Sequence, residues 1–154
     1  MKVSKKSDYA LRVLFALVEH YGQGPVSIRE LAENNDVPKS FLEHILLDLK
    51  GMGWVDSTPG KYGGYFLAKS PDEIRMGQVV RLFDNLLAPI NCVSILYYEK
   101  CSQEATCRFR RVFLQIRNDT ARMMDNTTLA AVYAGKPVAR QEVFDLALTE
   151  GDGI

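Results

Sequence analysis

Apolar positions along the first third of the chain recur at helical spacing in three separate runs. Between residues 8 and 21, Tyr9, Val13 and Leu17 align with Leu11, Leu14, Val18 and Tyr21 in one wide stripe, as an amphipathic helix requires. Gly22-Gln23-Gly24-Pro25 stops it. Ser27-Ile28-Arg29-Glu30 reads as a capping box, with the serine oxygen open to an orphan N–H and the glutamate reaching back. It starts a short second helix through Ile28, Leu31 and Ala32, which Asn34-Asn35-Asp36 ends. Pro38 suits a first helical position, and Leu42, Ile45, Leu46 and Leu49 then mark the buried face of a third helix running to Gly51 and Gly53. The opposite face of its first turns carries Lys39, Ser40, Glu43 and His44.

The period then changes. Trp54 to Thr58 and Tyr65 to Ala68 read as short strands joined by Pro59-Gly60-Lys61-Tyr62-Gly63-Gly64, a turn-rich loop. Three helices followed by such a hairpin predict a winged helix-turn-helix. The second of two closely joined helices would then offer its N-terminal residues to base edges. Some winged helices bind only protein, so that alternative stays open. Lys61, Tyr62 and Gly63 at the wing tip are candidate backbone contacts: glycine permits close approach, lysine carries charge and tyrosine can lie against sugar.

A shorter amphipathic helix lies within residues 70 to 88, with Val79, Val80, Leu82 and Phe83 facing the winged helix. From Arg108 to about Asn126, Phe109, Val112, Phe113, Ile116, Thr120, Met123 and Met124 recur on one face, opposite Arg110, Arg111, Arg117, Asn118, Asp119 and Arg122. A helix so apolar on one side, outside a domain that has its own core, points to a homodimer in which it crosses its twin. Asn126-Thr127-Thr128 caps a brief last helix through Leu129 and Val132. The expected fold is mainly α with a small β-wing: a DNA-binding domain over 1–88, a cysteine loop over 89–107, a dimerisation helix and cap over 108–134, and a frayed tail over 135–154.

Composition narrows the chemistry. The 154 residues are 47% hydrophobic with zero formal net charge, enough to bury a core and too apolar for disorder. Up to residue 65 there are eight basic and eight acidic residues, so DNA affinity would have to come from local placement of charge and from two copies acting together. No apolar run reaches the roughly 20 residues of a membrane span. Cys92, Cys101 and Cys107 are the only cysteines. Their odd number, and the lack of an apolar secretory run after Met1, favour a reducing, cytoplasmic setting. Clustered thiols bind a metal or sense redox state, and Cys107 at the start of the long helix would gain from its N-terminal dipole. No nucleophile–base pair, phosphate loop or two-histidine metal motif suggests an enzyme.

Ser7-Asp8-Tyr9-Ala10-Leu11-Arg12, Ser40-Phe41-Leu42-Glu43, Gly63-Gly64-Tyr65, the cysteine triplet and Asn126-Thr127-Thr128-Leu129 together resemble the Rrf family of bacterial winged-helix regulators, with its IscR, NsrR and RirA branches. The resemblance implies a dimeric transcription factor on operator DNA, with the recognition helix in the major groove and the wing in the minor groove. It also implies an iron-sulfur cluster, [2Fe-2S] or [4Fe-4S], on Cys92, Cys101 and Cys107. The expected function is a repressor sensing iron, NO or redox state. The alternative is a cluster-free regulator that uses thiol redox chemistry or zinc, or a protein-binding adaptor.

The chain departs from the family pattern in three places. The histidine that completes the cluster in IscR-like members is replaced by Arg110, and the eight-residue gap between Cys92 and Cys101 is longer than in the IscR and NsrR branches. NsrR-like members take an aspartate from the partner's first helix, and Asp8 occupies that place; its plain alternative is a carboxylate stabilising the first helical turn. Pro59 stands where an arginine often precedes the wing glycine, leaving Lys61 as its substitute.

Overall fold

A computed structural model describes residues 2–84 and 88–144. Seven helices lie within these residues: α1 Lys5–Glu19, α2 Ile28–Asn35, α3 Lys39–Gly51, α4 Met76–Asp84, α5 Phe109–Asn126, α6 Leu129–Ala134 and α7 Arg140–Val143. Between α3 and α4 an antiparallel hairpin joins β1 (Val55–Thr58) to β2 (Gly64–Leu67), with Val55 opposite Leu67 and Thr58 opposite Gly64. This is the expected mostly helical fold with a small β-wing.

The three apolar runs converge on one core. Val13 and Leu14 of α1, Leu31 of α2 and Leu42, Ile45, Leu46 and Leu49 of α3 are fully enclosed, and Trp54, Val55 and Leu67 close the core at the wing root. Val79 and Ile74 seal it from the α4 side. Local chemistry sets the helix starts. Ser4 accepts from the Ser7 N–H at 3.2 Å, and the serine half of the capping box forms, with Ser27 accepting from the Glu30 N–H at 3.2 Å. Asp36 ends α2 in the left-handed region at φ 52°. Pro38 lies one position earlier than expected, as the N-cap of α3 with φ −58° and ψ 130°.

The wing is anchored by a third segment. Val26 and Tyr65 exchange two backbone hydrogen bonds of 2.8 Å, so the link between α1 and α2 pairs with β2. A Cβ at Gly64 would run into the Val26 carbonyl, and one at Gly63 into the Thr58 carbonyl. The paired glycines therefore answer to the hairpin's own backbone.

After α5 the chain returns to the winged helix. The Leu129 N–H donates to the Ile74 carbonyl (2.9 Å) and the Met76 N–H to the Thr127 carbonyl (2.9 Å), while Thr128 caps α6 by accepting from the Ala131 N–H. Leu129 enters the main core and Tyr133 packs on Phe15 with ring centroids 5.4 Å apart. The segment expected to fray contains the exposed turn α7, where the Ala139 N–H donates to the Glu142 carboxylate at 2.8 Å. The last ten residues of that expected tail lie outside the described residues.

Candidate functional site

Two surfaces carry the expected chemistry. On the first, burying Leu42, Ile45, Leu46 and Leu49 turns Lys39, Ser40, Glu43 and His44 of α3 to solvent, all four exposed. His44 Nδ1 sits 2.8 Å from the Ser40 carbonyl; a carbonyl can only accept, so this hydrogen bond requires the proton on Nδ1. Phe41 is exposed beside them and meets the edge of Tyr9 at 6.0 Å. At the wing tip Tyr62 is 86% exposed, with the Lys61 ammonium 5.5 Å from its ring centroid. Gly63 lies within the turn, its N–H donating to the Gly60 carbonyl at 3.0 Å.

Sequence reasoning missed what fixes α3 and the wing relative to each other. Lys50 in the last turn of α3 donates to Ser57 Oγ at 2.7 Å and pairs with Asp56 at 3.2 Å. Asp56 is held below the usual carboxylate range, first by the Ser57 N–H and then by Lys50. A lysine in the last turn of a helix, five residues before the first wing strand, is a signal that spacing alone leaves ambiguous with an ordinary dipole contact.

The second surface lies where α5 begins. Cys92 sits buried in a one-turn 3-10 helix, Asn91–Val93, while Cys107 is half-buried and Cys101 exposed. Cys92 and Cys107 line one cavity of about 670 Å³; Cys92 and Cys101 line a neighbouring one of about 430 Å³. Cys107 lies two residues before the first residue of α5, and its N–H donates to the Gln103 carbonyl at 2.8 Å.

Two arginines of α5 clamp the turn that holds Cys92. Arg110 donates twice to the Cys92 carbonyl (3.0 and 3.2 Å) and pairs with Glu104 at 2.9 Å; Arg117 donates to the Val93 carbonyl at 3.0 Å. Tyr98 donates to Glu104 at 2.6 Å, which pushes its pKa up. Sequence reading places Arg110 on the polar face of the long helix and in the place of a missing ligand; its part in holding the cysteine turn depends on an eighteen-residue return of the chain.

These residues fit a thiolate-bound iron centre in donor type and charge. All three cysteines line cavities that meet at Cys92, and four arginines line the larger one, a charge that would offset thiolates once a metal bound them. Among the described residues no three donors yet converge on one ion, so binding needs Cys101 to join the cavity that Cys92 and Cys107 share. Asp8 lies away from this set within its own chain, held by Arg12 through 2.7 and 3.1 Å contacts. That pair keeps the Arg12 pKa raised, chiefly through the hydrogen bond.

The cysteine region is tied to the winged helix through Arg81 of α4, which grips the Asp125 carboxylate of α5 with two 2.6 Å hydrogen bonds. No helix among the described residues is long and apolar enough to cross a membrane.

Known proteins agree with this architecture. The Rrf2 family profile, described as an iron-dependent transcriptional regulator, matches residues 3–135. An rrf2-like transcriptional regulator of Rhodobacter capsulatus is 37% identical over 145 residues, covering 90% of this chain and 97% of the relative. The HTH-type transcriptional regulator CymR of Bacillus subtilis is 33% identical over 129 residues, 84% of this chain and 87% of its own. In three dimensions, CymR, the global cysteine regulator of B. subtilis, superimposes with a TM-score of 0.76 at 28% identity, covering 89% of this chain and 99% of that one. IscR of T. potens gives 0.67 at 26%, covering 92% and 96%. The chain belongs to the Rrf2 family and is a DNA-binding transcriptional regulator.

Proposed function

We propose that this regulator is a cytoplasmic homodimer that represses genes by holding operator DNA, and that an iron-sulfur cluster on Cys92, Cys101 and Cys107 sets that hold. The observation that carries this reading is the meeting of two cysteine-lined cavities at Cys92, in a turn packed against the helix that Arg81 and Asp125 tie to the winged helix. The exposed stripe of Phe109, Val112, Ile116 and Met123 supports dimerisation through α5. Held by three cysteines, such a cluster would have one corner without thiolate and would supply iron open to O2 or NO. Asp8 of the second copy is the candidate for that corner, and it must leave Arg12 to serve.

Protein purified without air should be brown and carry iron and sulfide, and Cys92→Ala, Cys101→Ala and Cys107→Ala should each lose the visible absorbance. Any single variant with full iron and sulfide removes that cysteine from the ligand set. Asp8→Ala should leave a cluster with a changed spectrum; an unchanged one returns Asp8 to Arg12 and the first turn.

A second reading is thiol redox regulation without a cluster. It is favoured by the likeness to the cysteine regulator CymR and by the open arrangement of the three sulfurs. Colourless anaerobic protein without iron, whose operator binding changes on mild oxidation, selects it; bound zinc selects a structural metal instead.

On DNA, Ser40, Glu43 and His44 read base edges while Lys39, Lys61, Tyr62 and Gly63 position the backbone. Lys61→Ala should weaken specific and random sequences alike and lower the salt slope by about 1, whereas Ser40→Ala should change sequence preference at about 1 to 3 kcal/mol. Unaltered operator binding in both variants excludes this face.

A further inference from the structure

The larger cavity beside Cys92 holds a concentration of positive charge that the cysteine chemistry does not use up. In a chain with zero formal net charge, Arg108, Arg110, Arg111 and Arg117 line one cavity with a single carboxylate, Glu104. Arg110 and Arg117 are occupied by Glu104, by Asn118 and by the carbonyls of the cysteine turn. Arg108 and Arg111 make no side-chain hydrogen bond or ion pair among the described residues.

Arg108 and Arg111 are three residues apart at the start of α5, so their stems are neighbours, about 5 to 6 Å apart at Cβ. Two guanidinium forks at that spacing suit two carboxylates separated by a few carbons, each of which can be held bidentately. Leu114 and Val93 supply an apolar wall for the carbon chain between them. At 3.6 residues per turn, Arg111 and Leu114 point away from the Phe109–Val112–Ile116–Met123 stripe. A twin helix laid on that stripe leaves Arg111 and Leu114 on the far side, with Arg108 at the stripe's edge beside Val112. Nor does the cavity belong to the DNA face, since α5 packs on α4 and on the cysteine turn, not on α3.

We infer that this cavity is a binding site for a small di- or tricarboxylate, clamped by Arg108 and Arg111 beside Cys92 and Cys107. The site rests on the arginines and goes beyond the cluster reading: the anion occupies the metal-free form. Because it fills the space Cys101 must enter, it competes with metal loading.

Reduced, metal-free full-length protein is titrated calorimetrically with succinate, citrate and inorganic phosphate at constant ionic strength. Saturable binding of succinate or citrate is expected, stronger than phosphate. Arg108→Ala/Arg111→Ala should lower the affinity at least about tenfold, the loss of one or more charge-assisted contacts. Lys136→Ala/Arg140→Ala, an exposed basic pair outside the cavity, should leave it unchanged. No saturable heat from either carboxylate, tighter phosphate binding, or equal losses in both double variants overturns the assignment. Cys107→Ser separates the two readings. Anion binding should survive in that variant even where iron is lost, and a wild-type protein without iron leaves the anion result standing.

Discussion

The winged helix and the cysteine region are built on different terms. In the first, helices α1 to α3 and the hairpin bury large aliphatic side chains completely, and Leu14, Leu42, Ile45, Leu46 and Leu49 expose nothing. In the second, a small cluster of Ala88, Cys92 and Val93 packs with Phe113, and no residue of the eighteen-residue α5 is buried. Phe109 is 75% and Met123 73% exposed. A region that can satisfy itself is a rigid platform for DNA; one held by arginine contacts to two carbonyls, with an open apolar flank, is suited to respond to what binds it.

The sharpest test of that contrast compares a truncation to alanine in each region. Leu46→Ala should cost about 2 to 5 kcal/mol, because a fully enclosed side chain leaves a cavity that neighbouring helices cannot refill. Val93→Ala, in the small cluster, should cost about 1 kcal/mol or less, since an open site collapses or admits water. Urea denaturation measures both, and equal costs would mean that the cysteine region has a core as rigid as the first. The next effect is on assembly. Val112→Asp/Ile116→Asp places charge on the exposed stripe, and sedimentation should show the dimer falling to monomer with the helical circular dichroism kept. A dimer that persists moves the interface elsewhere.

The same contrast explains what could be read in the chain. Helices α1 and α3 were legible because each obeys a local period and has a local stop. The wing was legible because Gly60 to Gly64 interrupts two strand-like runs. Three features were not legible, and all depend on distant pairing. The Val26–Tyr65 bridge joins residues 39 apart in sequence, so the glycine pair reads as loop chemistry until the partner strand is in place. Leu129 looks like the start of a capping appendage, yet it fills the main core because α5 carries the chain back to Ile74. Among the site residues, the exposure of Lys39, Ser40, Glu43 and His44 followed from burial of the opposite face of α3. How the three cysteines share two cavities did not follow, because their spacing says nothing of the 3-10 turn or of the arginines that hold it.

The smallest expected effect concerns the tie between the two regions. Arg81 depresses the pKa of Asp125 mainly through its hydrogen bonds, working against desolvation, with a further charge contribution that Arg75 supplements. In the unfolded chain the carboxyl returns to about its ordinary value of 3.8. On acidification the unfolded state therefore takes up its proton first, so the pair's stabilisation is complete above about pH 5 and is lost as pH falls through the lower folded value. With side chains 36% and 42% exposed, solvent screens most of the attraction, which leaves about 0.5 to 1 kcal/mol. Asp125→Asn should therefore be less stable than the wild type by that amount at pH 7, with the gap closing as pH falls below the ordinary carboxyl value of 3.8 and through the lower native one. Urea midpoints at pH 7, 5 and 3 measure it. A gap that stays constant with pH would mean that Asp125 stabilises by packing against Gly77 and not by charge. Operator binding then separates the tie from simple stability. If α5 signals to the wing through Arg81, Asp125→Asn should blunt the difference between reduced and oxidised protein at pH 7, where both variants are fully folded; an undiminished difference would place the connection in the Ile74–Leu129 and Met76–Thr127 backbone pairs.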